Sequence, residues 1–168
     1  VYGTSKKLAE DIAKYYCRRG NMSLNIVRLS DVYGKINISE KVLQIFIRNA
    51  VQGIPIVVKQ PQAMFYFSHI KDICASLLKI TMDDEGGNND CITKTHRLWP
   101  YLGINLLELA KLICKISGSN SQIIVDHDVV KEASANQPEE QKVRYIDYQS
   151  LLSTSIEDGI CELINSVI

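Results

Sequence analysis

Between residues 4 and 19 apolar side chains return every three or four positions, with Leu8, Ile12 and Tyr15 or Tyr16 at core spacing and Gly20 at the stop. That pattern predicts a helix. Leu24-Asn25-Ile26-Val27-Arg28-Leu29 is a β-rich run and predicts a strand, after which Asp31-Val32-Tyr33-Gly34 reads as a loop. The helical period resumes over 40–52, with Val42, Ile45, Phe46 and Ala50 inward and Gly53 at the stop. It recurs over 69–81 (Ile70, Ile73, Leu77, Ile80), 105–117 (Leu106, Leu109, Ala110, Ile113) and 156–167 (Ile156, Ile160, Leu163, Ile164, Val167). Short strand candidates lie between these helices. Ile54–Val58 and Met64–Phe67 are joined by a Pro-containing turn, and others fall around 91–95 and at Ile123–Val125. The Gly/Asn-rich stretch from Asp83 to Asp90 and the polar run 131–142 read as connections. Helices alternating with short strands argue for an α/β or α+β architecture.

Composition narrows the partners. The 168 residues are 46% hydrophobic and 23% charged, as expected of an ordinary globular protein. Nineteen basic and nineteen acidic residues cancel, which predicts neither a nucleic-acid nor a membrane-surface partner. No apolar run is long enough to span a bilayer. The five cysteines (Cys17, Cys74, Cys91, Cys114, Cys161) form no C-x-x-C pair, and several sit on helical apolar faces. A reducing cytoplasm is the expected compartment. His69, His96 and His127 show no metal-ligand spacing, so no metal site is expected.

The candidate chemistry begins at Val1-Tyr2-Gly3-Thr4-Ser5-Lys6. Four residues apart on a helix, Tyr2 and Lys6 share a face about one turn apart. A cation held there favours the phenolate, which suits a tyrosine for exchanging a proton with a substrate hydroxyl or carbonyl. Further motifs follow in order: Arg28-Leu-Ser-Asp-Val-Tyr-Gly34, Gly53-Ile-Pro-Ile56, Phe65-Tyr-Phe-Ser-His-Ile-Lys-Asp72, and near the end Arg144-Tyr-Ile-Asp147 and Ser155-Ile-Glu-Asp-Gly-Ile160. The series resembles the second half of the extended short-chain dehydrogenase/reductase family, the NAD-dependent nucleotide-sugar epimerases and dehydratases. Members typically carry Y-G-x-S-K, R-x-x-N-V-Y-G-P, G-x-P-I and R-x-F-x-x-V-x-D. The resemblance covers nearly the whole chain.

It implies a Rossmann-type α/β fold, of which this chain supplies the last sheet strands and a small α/β substrate-binding region. Residues 1–35 would belong to the dinucleotide-binding domain and 36–168 mainly to the substrate-binding region, with some segments returning to the sheet. The resemblance further implies Tyr2 as the proton-transferring residue and Lys6 as the residue holding the nicotinamide ribose. Leu29 and Ser30 would lie beside the nicotinamide, Asp31 would face the nucleotide-sugar diphosphate, and Arg144 is a candidate phosphate ligand. NAD or NADP is the implied cofactor, a nucleotide sugar the implied substrate, and a homodimer the implied assembly.

The sequence departs from the family pattern at Asp31 (usually Asn), Lys35 (usually Pro) and Phe65 (commonly a diphosphate-binding Arg). A carboxylate beside a diphosphate is repulsive, and an aromatic cannot replace a bidentate guanidinium. None of the nine glycines clusters into the G-x-x-G-x-x-G turn that cradles a pyrophosphate. The Ser or Thr that precedes the Tyr in the family triad is missing as well. With Val1 in place of Met, these features lead to the expectation that the nucleotide-binding half is absent and the isolated chain inactive. A decayed, non-catalytic remnant of the family is the alternative reading, and a small α/β interaction module a third.

Overall fold

The computed structural model describes residues 1–35, 41–83, 92–126, 145–147 and 149–167. Helix α1 (Tyr2–Arg19) leads into strand β1 (Leu24–Leu29) and, after one residue, β2 (Asp31–Tyr33). Then come α2 (Val42–Val51), β3 (Ile56–Val58), β4 (Met64–Phe65), β5 (Phe67–His69) and α3 (Ile70–Met82). The remainder is β6 (Thr93–Leu98), β7 (Ile104–Asn105), α4 (Leu106–Ser117), β8 (Ile123–Val125), β9 (Tyr145–Asp147), a 3-10 turn (Gln149–Leu151) and α5 (Ile156–Val167).

The strands pair mostly in parallel, as crossover helices require. β1, β6 and β9 form one parallel sheet, with Leu24 opposite Thr93, Leu29 opposite Leu98 and His96 opposite Ile146. β2 pairs in parallel with β5, placing Asp31 opposite Phe67 and Tyr33 opposite His69. β3 pairs in parallel with β8, and β4 pairs antiparallel with β7. The segments on either side of the Pro61 turn are therefore not a hairpin, since each finds its partner much later in the chain.

The main core lies among α2, α4 and α5, where Leu43, Phe46, Ile47, Leu109, Ile113, Ile160 and Leu163 pack with Ile56 and Val58. A smaller cluster of Ile73, Ile80 and Leu98 joins α3 to the three-stranded sheet. Helix α4 shows how local sequence sets an element. The Asn105 side chain accepts a hydrogen bond from the Glu108 N–H at 2.8 Å, the apolar stripe repeats at helical period, and Gly118 closes the helix at φ 64°.

Several sequence expectations are corrected. α1 starts at Tyr2 and buries none of its residues, so Leu8, Ile12, Tyr15 and Tyr16 are exposed. Their stripe marks an apolar face that no described element covers. Asp31–Tyr33 is a strand, because its backbone finds the edge of β5. In α2 the inward positions include Leu43 and Ile47, while Val42 and Ile45 are only partly buried. Leu77 of α3 is exposed, and the buried position beside it is Ser76, whose hydroxyl donates to the Asp72 carbonyl. The connections at 84–90 and 131–142, and also His127 and Cys91, lie outside the described residues.

Candidate active site

The site is built around the carboxyl end of β1. A short connection (Gly20–Ser23) turns the chain from α1 back into β1, and the Arg28 guanidinium fastens the two. It donates from Nε to one Glu10 carboxylate oxygen at 3.0 Å and from an Nη to the other at 2.9 Å. This forked geometry fixes register as well as distance. Glu10 lies midway along α1, and Tyr2 stands eight residues N-terminal to it, on the order of 12 Å along the axis. Arg28 is next to the last residue of β1. The antiparallel course therefore directs the N-terminus of α1 toward the carboxyl end of β1, the end at which doubly wound sheets hold their ligands.

On α1 the Lys6 ammonium stands over the Tyr2 ring, 5.3 Å from its centroid. The Tyr2 carbonyl accepts from the Ser5 hydroxyl at 2.7 Å. Tyr2 is 77% exposed, so its phenol faces open space. Among the described residues, neither Tyr2 nor Lys6 hydrogen-bonds to Leu29, Ser30 or Asp31.

At Ser30 the chain changes partners. Its N–H donates to the Leu98 carbonyl of β6 at 3.3 Å, whereas the next N–H, of Asp31, donates to Tyr66 beside β5 at 3.0 Å. Leu29 and Asp31 are exposed on either side. The Ser30 hydroxyl is paired with that of Ser68 at 2.6 Å. Beyond β6, Trp99 stacks with Tyr66 (centroids 5.8 Å apart), and the Arg97 guanidinium lies over its ring, 4.4 Å from the centroid. These contacts are local packing of the indole.

Beneath this surface, Tyr33 is held as a neutral phenol. Burial pushes its phenol well above the ordinary value, and the carboxylates of Asp72, Asp158, Glu157 and Glu162 push it further. Asp72 is structural. Its carboxylate accepts from the Thr154 N–H and hydroxyl, both at 2.9 Å, tying the start of α3 to the segment before α5. Phe65 stacks on Phe67 (5.7 Å, 11°) against the main core. Arg144 lies outside the described residues. A surface depression of about 560 Å³ lined by Asp11, Lys14, Tyr15, Arg18 and Arg19 lies toward the far end of α1 from Tyr2. No cluster of three metal-ligating side chains occurs among the described residues.

Sequence reasoning missed Ser68 and the Glu10–Arg28 pair. Ser68 did carry a signal, a small polar residue inside the apolar run Phe65–Ile70. Nothing in the spacing of Glu10 and Arg28 joins a helix to the following strand.

The fold matches solved structures throughout its length. UDP-glucose 4-epimerase of Thermotoga maritima, solved with UDP-glucose, aligns over 99% of this chain with a TM-score of 0.72 at 19% identity. UDP-N-acetylglucosamine 4-epimerase of Bacillus cereus aligns over 99% with a TM-score of 0.72 at 17% identity. dTDP-glucose 4,6-dehydratase of Bacillus anthracis, solved with NAD, aligns over 98% with a TM-score of 0.69 at 16% identity. The chain spans about half the length of these proteins, 52%, 53% and 50% respectively. No curated protein matches it in sequence. The model of the NAD dependent epimerase/dehydratase family matches residues 1–92, the stretch from the Tyr2/Lys6 helix through β5 and α3. With more than half of its residues matched and the α/β architecture in agreement, the chain belongs to the NAD dependent epimerase/dehydratase family.

Proposed function

We propose that this chain carries the proton-transfer pair and the substrate side of an NAD(P)-dependent nucleotide-sugar epimerase, dehydratase or reductase. The observation that carries the reading is the course of α1. Glu10 and Arg28 hold the helix so that Tyr2 and Lys6 are directed toward the carboxyl end of β1, the end that bears Ser30. Residues 1–35 would then belong to the dinucleotide-binding domain and 36–168 mainly to the substrate-binding region.

The described residues suit the nicotinamide end of a dinucleotide. A lysine amine lies beside an exposed phenol, and a strand end offers a polar hydroxyl. When bound, the dinucleotide supplies hydride acceptance and return. Tyr2 moves a proton between its phenol and a sugar hydroxyl or carbonyl, and Lys6 holds the ribose hydroxyls. Leu29 packs beside the nicotinamide, and Asp31 lies at the substrate mouth, where a sugar hydroxyl suits its carboxylate better than a phosphate does. Arg144 remains the proposed phosphate ligand, and a homodimer the proposed assembly. No glycine cluster for the pyrophosphate occurs among the nine glycines, so the 168 residues by themselves are expected to show no NAD-dependent turnover.

In the full-length gene product, Tyr2→Phe is expected to lower kcat at least about 10²-fold while NADH affinity stays within about twofold. Unchanged turnover in Tyr2→Phe would remove the catalytic reading. A non-catalytic member of the family is favoured by one observation, the packing of Phe65 onto Phe67 where a diphosphate-binding Arg is common. Wild-type protein that binds neither NADH nor a UDP-sugar would establish that alternative.

A further inference from the structure

The Ser30–Ser68 pair holds information that its distance alone does not. Two hydroxyls 2.6 Å apart share one hydrogen bond, and either is able to donate it. Their surroundings break the symmetry. Ser68 is 3% exposed, and its hydroxyl has no other partner among the described residues. Ser30 is only partly buried and stands where the chain leaves β6 for β5, one residue past the carboxyl end of β1. If Ser30 donated, the Ser68 proton would be left buried without an acceptor, an unfavourable arrangement. If Ser68 donates, the bond consumes its only proton and leaves the Ser30 proton to be donated elsewhere.

We infer that Ser68 is a positioning residue: it donates its hydroxyl proton to Ser30 and so turns the Ser30 hydroxyl into a fixed hydrogen-bond donor facing the ligand side of β1. A hydroxyl that accepts one hydrogen bond is polarised to donate the next. The group it would meet is a neutral or anionic acceptor oxygen, such as a carboxamide carbonyl or a sugar oxygen. A bare cation would be repelled. The dinucleotide as that ligand rests on the function proposed above, whereas the direction of the Ser68–Ser30 bond does not.

Two readouts test the proposal in the full-length gene product. The first is thermal stability without ligand. Ser30→Ala strands the buried Ser68 proton, whereas Ser68→Ala leaves a Ser30 hydroxyl that solvent still satisfies. Ser30→Ala is therefore expected to lower the melting temperature more than Ser68→Ala. The reverse order would overturn the premise that buried Ser68 depends on Ser30 as its partner. The second is NADH titration followed by fluorescence. Ser68→Ala and Ser30→Ala are each expected to raise the Kd roughly three- to tenfold, and the double variant no more than the worse single one.

A Ser68→Ala protein that binds NADH like wild type while Ser30→Ala is weakened would overturn the positioning role. Multiplicative losses in the double variant would overturn it too. Wild-type protein that binds no NADH would remove the dinucleotide as the ligand, a failure of the proposed function. The melting order would still decide whether buried Ser68 depends on Ser30 as its partner.

Discussion

At the scale of single residues, the least tolerant position is Gly159. The Tyr33 hydroxyl and ring edge occupy the space in which a Cβ at 159 would stand. Alanine normally favours a helix interior over glycine by about 1 kcal/mol, but overpacking against a rigid ring costs more. Gly159→Ala is expected to destabilise the protein by about 2 kcal/mol in urea unfolding, and Tyr33→Leu in the same chain should recover part of that loss. Asp72 is a second such position. Asp72→Ala removes both hydrogen bonds to Thr154 and is expected to cost about 2–3 kcal/mol, with Asp72→Asn intermediate because its amide oxygen keeps one of them. Asp72 was legible in the sequence as an acidic residue of a first helical turn. Its partner was not, since nothing local to residue 72 refers to a threonine 82 positions onward.

Elements with a strong period were read well. The burial of Leu106, Leu109, Ala110 and Ile113 follows from spacing alone, as does the extent of β1. The failures share a cause, which is that a pattern names an apolar face without saying what covers it. The period of α1 gave the helix and the apolar stripe of Leu8, Ile12, Tyr15 and Tyr16, which is exposed, but not what would cover it. Likewise, short apolar runs such as Ile56–Val58 do not say that their partner is β8, more than sixty residues away. With no buried residue, α1 depends heavily on the Glu10–Arg28 fork. The pair is partly exposed, so Glu10→Ala should loosen α1 by about 1 kcal/mol, near fivefold faster amide exchange. That acceleration should be confined to residues 2–19 and spare α4, as hydrogen exchange with peptide-level readout would resolve. Of the candidate site, the Tyr2/Lys6 face was legible because it is local. The Ser30–Ser68 contact was not, because it joins two strands that pair in space and not in sequence.

For the molecule as a whole, the outermost link between α3 and α5 is electrostatic. Lys71 donates to Glu162 at 2.7 Å and holds its carboxyl below the ordinary value, its charge and that of Lys35 assisting against partial desolvation. A carboxyl whose value is lowered by folding stabilises the native state above its unfolded value, about 4.3, and loses that contribution as the pH falls through the native value. Stability should therefore decline on the acid side of about pH 4.5, and Lys71→Met should flatten that decline. Both effects should shrink in high salt, because Lys71 is exposed.

The same region has a temporal consequence. Asp72 meets Thr154 across 82 residues, and the Tyr33 hydroxyl meets the Ser155 carbonyl across 122. During synthesis, β2, β5 and α3 must wait for residues 154–159 before their buried polar groups find these partners. The polypeptide that bears the candidate site thus emerges long before its supporting layer closes. Through that interval the surface most in need of order is the one a nascent chain exposes longest.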